Sequence, residues 1–186
     1  NDAVTITYHW YFPSQKDPFY MANPDEAVAR ANYYGITGVP AIFFNGERGR
    51  TQGDMLDAPI DYLLQQPDQL QLSVEASLSG QLLTVHTDVL PKGIESTDDL
   101  RLFVVAVEER VEFGESQPNG ERSWNYVMRK MLTGPEGQPL EITPSQTVPA
   151  QYDCQWTLSN FYDESELGIV TFVQNVATGE VLATVY

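Results

Sequence analysis

The sequence predicts an α+β protein in which a small α/β segment precedes an antiparallel β-sandwich. In residues 1–67, helix starts marked by proline alternate with short β-branched or aromatic runs, which is typical of α/β structure. From residue 70 onward, apolar residues recur at every second position and turns are regularly spaced. No helical period interrupts that pattern, which favours a sandwich of immunoglobulin-like type. We therefore divide the chain into domains at 1–67 and 70–186.

The composition is that of a folded chain with a strongly acidic surface. Hydrophobic residues make up 42% of the 186 positions, and 26 acidic against 10 basic residues give a formal net charge of −16. This charge repels nucleic acid and anionic membrane surfaces, so we expect no nucleic-acid partner. No apolar run approaches the roughly 20 residues of a membrane span, and we expect no transmembrane segment in this chain.

The N-terminal residues Asn1-Asp2-Ala3-Val4 include neither an initiator Met nor a signal peptide. We therefore expect a processed or truncated chain. What precedes Asn1 is the observation that would most sharpen a functional interpretation.

In the first domain the sequence predicts two strands and two helices. Residues 4–10 are rich in β-branched and aromatic side chains, which favours a strand. An Asn-Pro-Asp-Glu cap signal begins a helix that should cover residues 24–34. The apolar run at 41–44 predicts a buried strand, and residues 57–65 predict the second helix.

In the second domain the alternation predicts a hairpin over residues 70–91 and a buried strand over 100–107 that continues to 111. Residues 124–132 fit either a strand or a short helix. The set is completed by three further strands, at residues 148–158, 169–176 and 181–185.

The loop Thr37-Gly38-Val39-Pro40 connects the first helix to the strand at 41–44. The order of helix, Gly35, Val-Pro and strand resembles the second half of a thioredoxin fold, in which a cis-proline loop faces a Cys-x-x-Cys motif and offers its backbone to an extended peptide. We expect a cis bond between Val39 and Pro40. With no thiol opposite, these four residues would bind a peptide or partner by β-augmentation and would not catalyse. An ordinary turn is the alternative.

Three stretches together resemble the twenty-eight-kilodalton outer membrane protein family. They are residues 32–46, with Gly-Val-Pro and Phe-Phe-Asn-Gly, residues 124–132 and residues 170–175. The resemblance implies a thioredoxin-like domain followed by a C-terminal β-sandwich. It also implies export to the envelope of a Gram-negative bacterium, as a periplasmic, outer-membrane-associated or secreted protein. Family members often carry Cys-x-x-Cys ahead of the strand equivalent to residues 4–10, and this sequence lacks that segment.

The sequence contains no evident catalytic group. Cys154 is the only cysteine, and strand alternation points either Cys154 and Tyr152 or their neighbours inward. A buried, inert thiol is the favoured interpretation, because nothing basic adjoins it. The two histidines, His9 and His86, fall in different predicted domains, so we expect no Cys–His pair.

No metal site or cofactor is expected either. The histidines and the cysteine show no zinc-ligand spacing, and the EF-hand pattern is absent. Acidic loops at 98–99 and 163–166 could bind Ca²⁺, but solvated loop acids are the favoured interpretation.

We therefore expect a non-catalytic envelope or extracellular binding and assembly module, a subunit of a larger complex. A protein partner or self-association would cover the open edge of the partial thioredoxin sheet, and Trp10, Tyr11 and Phe12 form a possible partner surface. One alternative is a thiol–disulfide oxidoreductase whose Cys-x-x-Cys lies upstream of Asn1. A weaker one is carbohydrate or cell-surface binding by the sandwich.

Overall fold

Two antiparallel sheets dominate the fold, which is mostly β. The computed structural model describes residues 3–12, 15–48, 57–113, 120–159 and 163–186. Its helices are α1 (Pro18–Ala22), α2 (Pro24–Tyr33) and α3 (Asp57–Leu64). Its strands are β1 (Phe43–Phe44), β2 (Glu47–Arg48), β3 (Leu70–Ser79), β4 (Leu82–Pro91), β5 (Leu100–Glu112), β6 (Ser123–Met131), β7 (Gln138–Pro139), β8 (Ala150–Thr157), β9 (Leu167–Asn175) and β10 (Val181–Val185).

The larger sheet has the order β10-β9-β5-β6, and β7 pairs with the start of β5; the smaller sheet has the order β3-β4-β8. The hairpin predicted at 70–91 is confirmed, with Leu70 opposite Pro91 and Ser79 opposite Leu82. The segment at 124–132, left open between strand and helix, forms strand β6. The predicted antiparallel sheet structure after residue 70 is therefore confirmed.

The first hydrophobic core lies between the two sheets. On β5 the even-numbered side chains Leu102, Val104 and Ala106 point into it and are fully buried. From the smaller sheet, Val85 of β4 and Cys154 of β8 face the same space. Because strand side chains alternate between faces, the odd-numbered residues of β5 must point the other way.

A second core covers the outer face of the larger sheet. Phe103, Val105 and Val107 of β5 are fully buried there against Ala27 of α2. Further cover comes from partly buried residues of the N-terminal segment, namely Val4, Ile6, Tyr8 and Tyr20. The outer face of the larger sheet is thus buried by the segment that precedes it in the chain, which explains why β5 is apolar on both faces.

The strand predicted over residues 4–10 does not form as a regular strand. This stretch makes one isolated parallel bridge, Thr7 to Val127. Thr7 N–H donates to Tyr126 O at 2.8 Å, and the Thr7 carbonyl oxygen accepts from Met128 N–H at 3.0 Å. The β-branched and aromatic side chains of residues 4–10 cover the sheet, although the backbone of this stretch pairs with it at one bridge. Burial is what strand propensity largely measures.

The strand predicted over 41–44 is shorter than expected. Only Phe43 and Phe44 are in strand conformation, and they pair with Arg48 and Glu47 around the turn at Asn45-Gly46. In the described part of residues 3–64 this hairpin is the widest sheet. The open edge of a larger thioredoxin-like sheet, on which the expectation of a covering partner was based, is therefore not found there.

Candidate functional site

Helix α2 is fixed to β6 by the buried carboxylate of Glu26. One oxygen accepts a hydrogen bond from Met131 N–H at 2.8 Å, and the other pairs with the Lys130 ammonium. Asn23, which the sequence predicts as a helix cap, makes no capping bond through its side chain. Its amide instead donates to Glu26 and to the carbonyl of Arg129 at 3.2 Å. The residues that would form a capping box thus attach the helix to the sheet.

Arg30, one turn further along α2, is 2% exposed and has an unusual environment for a cation. Its Nη2 donates to Tyr34 Oη at 2.7 Å and to Gln174 Oε1 at 3.0 Å. Its guanidinium carbon lies 4.8 Å from the Tyr33 ring centroid and 4.7 Å from those of Tyr34 and Phe103. Among the ion pairs of the described residues, none joins Arg30 to a carboxylate. Aromatic faces and two neutral acceptors replace the usual anion.

Tyr8 does not supply the missing negative charge. Burial raises the pKa of Tyr8 to about 12, and the opposing effect of the nearby Arg30 charge is smaller. Tyr8 is therefore a neutral phenol at physiological pH, and among the described residues the direct contacts of the Arg30 guanidinium are aromatic rings and neutral acceptors.

Gln174, which is fully buried in β9, connects α2 to the turn between β9 and β10. Its amide donates to Tyr34 Oη at 3.0 Å and to Gly179 O at 2.6 Å. Tyr33 Oη donates to Val176 O at 3.3 Å. The C-terminal end of α2 is therefore held against residues 176–179.

The β1–β2 hairpin docks on the same turn. Val181 N–H donates to Asn45 O at 2.9 Å. At Gly46, where φ is +88°, a Cβ atom would lie 1.6 Å from Gly179 O. Only glycine allows such an approach of two backbones. The segment between α2 and β1 is thus anchored on both sides by one turn of the larger sheet.

The loop between these anchors contains the predicted residues Thr37, Gly38, Val39 and Pro40. The peptide bond between Val39 and Pro40 is cis, as the sequence predicts. The last backbone bond before the loop runs from Ile36 N–H to Ala31 O at 2.9 Å. From Thr37 to Ala41 no backbone N–H or C=O is hydrogen-bonded within the described part of the chain.

Apolar side chains beside these unpaired backbone groups are exposed. Val39 is 38% exposed, Ile42 is 36% exposed, and Tyr33 at the end of α2 is 37% exposed. The loop therefore presents free donors and acceptors together with apolar contact area, on a support that is anchored at both ends.

The second predicted surface lies elsewhere. Tyr11 and Phe12 are exposed beside the partly buried Trp10, close to α1. Phe19 of α1 packs on Val111, near the far end of β5, whereas Arg30 stacks on Phe103. Tyr20, which contacts Tyr11, packs in the same core as Phe103. Among the ring contacts and hydrogen bonds of the described residues, none joins Trp10, Tyr11 or Phe12 to the loop.

Cys154 and Tyr152 point inward between the sheets, which resolves the alternative that the sequence leaves open. Burial, and secondarily the charge of Asp153, raises the pKa of the Cys154 thiol. His86 lies on the opposite, outer face of the smaller sheet, where Nδ1 is 2.8 Å from Asp153 Oδ1. His9 pairs with Asp17 in the N-terminal segment, 2.9 Å away. Neither histidine is placed to activate the thiol.

Within the described ranges, no three His, Cys, Asp or Glu side chains converge as metal ligands would. The acidic loop at 98–99 and the described part of 163–166 are included in that statement. Asp163 caps a short 3-10 turn at Glu164–Glu166 by accepting from Ser165 N–H at 2.9 Å, which gives this acid a structural partner.

Sequence reasoning missed Arg30 and Gln174. Two signals were available. Tyrosines at three and four positions after Arg30 place both rings on its side of the helix, and the amides Gln174 and Asn175 follow directly on the apolar residues of β9. Neither signal shows that the two residues meet, because they are 144 positions apart.

The sequence pattern of the family described as outer membrane protein Omp28 matches residues 27–185. No curated protein matches the chain in sequence. HBP35 of Porphyromonas gingivalis is similar in structure, with a TM-score of 0.70 and 11% identity, over 91% of this chain and 60% of that one. At this identity the likeness is one of fold, and the chain spans 60% of the length of HBP35.

A domain of the outer membrane lipoprotein Omp28 from Porphyromonas gingivalis gives a TM-score of 0.45 and 15% identity, over 63% of this chain and 84% of that one. In the described residues no helix has the length and apolarity needed to cross a membrane. From the family match over residues 27–185, the chain belongs to the Omp28 family of outer membrane proteins and is extracytoplasmic, associated with the outer membrane of a Gram-negative bacterium.

Proposed function

We propose that this chain is a non-catalytic binding and assembly module of the cell envelope, and that its loop Thr37–Pro40 receives an extended segment of a protein partner. The observation that carries the proposal is the run of unpaired backbone groups from Thr37 to Ala41. Unpaired backbone donors and acceptors can receive an extended peptide by β-augmentation. Because both flanks are docked on residues 176–181, little ordering of the loop is needed on binding.

The exposed side chains define what this partner segment would carry. Val39 and Ile42 offer apolar contact on the loop, and Tyr33 adds an aromatic ring beside it. The formal net charge of −16 disfavours an acidic segment. A neutral or basic strand with apolar side chains fits this surface.

We also propose the finer fold assignment that the sequence suggests. Residues 1–67 would be a partial thioredoxin-like domain, supported by the order of α2, the Val39–Pro40 loop, β1 and α3. Residues 70–186 would be an immunoglobulin-like sandwich, supported by two antiparallel sheets enclosing one core.

Site-specific photocrosslinking in the native envelope tests the binding proposal. A photoreactive phenylalanine at Val39 is expected to give a discrete adduct with a protein. The same group at Val148, which is 69% exposed on the other side of the domain division, is the matched control and should not give that adduct. An adduct of twice the chain mass would identify a second copy as the partner. Absence of an adduct at position 39, or the same adducts at both positions, would contradict the proposal.

A second candidate is a thiol–disulfide oxidoreductase, supported by the same order of helix, loop and strand around Val39–Pro40. It would need a Cys-x-x-Cys outside these residues, since Cys154 is the only cysteine and is buried. The encoded protein would then reduce insulin disulfides, and replacement of both cysteines of that Cys-x-x-Cys motif by serine would abolish the reaction. A protein without such a motif, or without reductase activity, removes this candidate.

A further inference from the structure

Trp10, Tyr11, Phe12, Tyr20 and Met21 form an aromatic surface at α1 and in the segment before it; we call it the aromatic end. The ring centroids of Trp10 and Tyr11 are 4.3 Å apart, and those of Tyr11 and Tyr20 are 6.2 Å apart. Tyr11 is 40% exposed, Phe12 53% and Met21 63%. Tyr11, Phe12 and Met21 thus present apolar side chains to solvent, with Trp10 and Tyr20 partly buried beside Tyr11.

The aromatic end is locally neutral although the protein is acidic. From Tyr8 to Phe12 the sequence contains no carboxylate and no ammonium group. The nearby Asp17 is engaged on both oxygens: Oδ2 bonds His9 at 2.9 Å, and Oδ1 accepts from Phe19 and Tyr20 N–H at 2.9 Å each. Burial alone would raise the pKa of Asp17, but the His9 bond and these backbone bonds hold it below its ordinary value. This carboxylate therefore serves to shape α1.

We propose that the aromatic end inserts into the interfacial layer of a zwitterionic phospholipid bilayer. The chain belongs to a family of outer membrane proteins, so a lipid surface lies within its reach. Trp and Tyr favour the membrane–water interface, where the ring is apolar and the polar tip stays hydrated. Phe12 and Met21 supply the apolar side chains that such a contact buries.

The charge of the protein selects the type of lipid. With a net charge of −16, approach to an anionic bilayer is repulsive, whereas a zwitterionic bilayer imposes no such barrier. Binding should therefore be strongest to neutral vesicles and weaker to vesicles that contain anionic lipid, with the difference shrinking as salt is added.

The lipid contact does not depend on what the loop Thr37–Pro40 binds.

Vesicle sedimentation with the 186-residue chain tests the inference. Vesicles of phosphatidylcholine and phosphatidylethanolamine are expected to bind the chain, and brominated lipid should quench its fluorescence less when Trp10 is replaced by Phe. The double variant Phe12→Ser with Met21→Ser should lower the partition coefficient at least tenfold. The matched control Leu64→Ser with Val148→Ser alters two exposed apolar side chains outside the aromatic end and should change it less than twofold.

Because all four side chains in these variants are exposed, thermal unfolding should be unchanged, which separates lost binding from lost folding. Equal loss of binding in both double variants, or stronger binding to anionic vesicles, would overturn the inference. Failure of the unaltered chain to bind neutral vesicles would overturn it too, and would leave a protein as the occupant of the aromatic end.

Discussion

Residues 3–64 and residues 70–186 use their apolar side chains in opposite ways. Of the buried hydrophobic residues in the described part of the chain, 24 belong to the second region and three to the first. Of the exposed large hydrophobic residues, eight belong to the first region and four to the second. The second region encloses its own core, whereas the first covers one sheet face and leaves much apolar surface in solvent. That surplus is why we place both proposed contacts in the first region.

The largest expected effect compares two buried arginines, one from each region. Arg129 lies 3.5 Å from Glu108, and both side chains are buried, whereas Arg30 has no carboxylate within ion-pair distance in the described structure. Arg129→Met would remove a buried cation from the side of the buried Glu108 carboxylate and should cost about 3–5 kcal/mol of unfolding free energy. Arg30→Met removes a cation, but no carboxylate of the described residues loses an ion-pair partner by this change.

Arg30→Met should therefore cost only about 1 kcal/mol, since Gln174 still donates to Tyr34 at 3.0 Å. Urea unfolding of both variants measures the difference. Equal costs would show that Arg30 has a partner charge, and the contrast between the regions would have to be revised.

The next effect concerns the contact between the regions at Gly46. In Gly46→Ala, the added Cβ would meet the Gly179 carbonyl oxygen at 1.6 Å, on a backbone with φ of +88°. The hairpin must move off the β9–β10 turn, at a cost of about 3 kcal/mol. Gly80→Ala is the control, because φ is +59° there but nothing lies within 4 Å of the added atom.

Hydrogen exchange should show faster exchange at Val181 N–H, which bonds Asn45 O, in Gly46→Ala but not in Gly80→Ala. The core between the sheets should keep its protection in both variants. An equal loss of stability in the two variants would mean that backbone strain, and not the hairpin contact, sets the cost.

A smaller loss of stability is expected from shortening either of two adjacent valines of β5 that face different cores. Val104 points between the sheets and Val105 points toward the N-terminal segment, and both are fully buried. Val104→Ala and Val105→Ala should each cost about 2 kcal/mol, because the same two methyl groups leave a packed interior. Thermal or urea unfolding gives both values. A much smaller cost at Val105 would mean that the N-terminal segment packs loosely on the sheet.

The same alternation explains how much of the fold the sequence could predict. Period-two alternation located the hairpin at 70–91, and a continuous apolar run located strand β5, because both patterns depend on burial of neighbouring residues in the chain. A proline at the first helical position located α2. The Val-Pro step between that helix and an apolar run indicated the cis bond.

The sequence could not predict features that depend on distant partners. Residues 4–10 have strand propensity, but only Thr7 finds a neighbouring strand to pair with. The inward face of Cys154 depends on register with β4, where it lies opposite Val85. Arg30 and Gln174 meet through the docking of a helix on a sheet, which local pattern does not encode. For the candidate site, the sequence located the loop but not the contacts that support it.

The smallest expected effect is a pH dependence confined to the second region. His86 on β4 is flanked by Asp153 of β8 at 2.8 Å and by Asp88 of its own strand at 3.4 Å, and Glu75 of β3 lies opposite it in register. The hydrogen bond to Asp153 raises the pKa of His86 above 6.5, although desolvation opposes the shift. A pKa raised by folding means that the protonated form stabilises the fold.

This contribution should therefore be complete below about pH 6.5 and be lost as the pH rises through the folded-state pKa. NMR titration of His86 should give a midpoint above that of a model peptide, and Asp153→Asn should bring it down. Because the pair is exposed and screened, His86→Gln should flatten the neutral-pH dependence of unfolding without altering exchange in residues 3–64. A His86 midpoint that does not respond to Asp153→Asn would assign the shift to Asp88 or Glu75 instead.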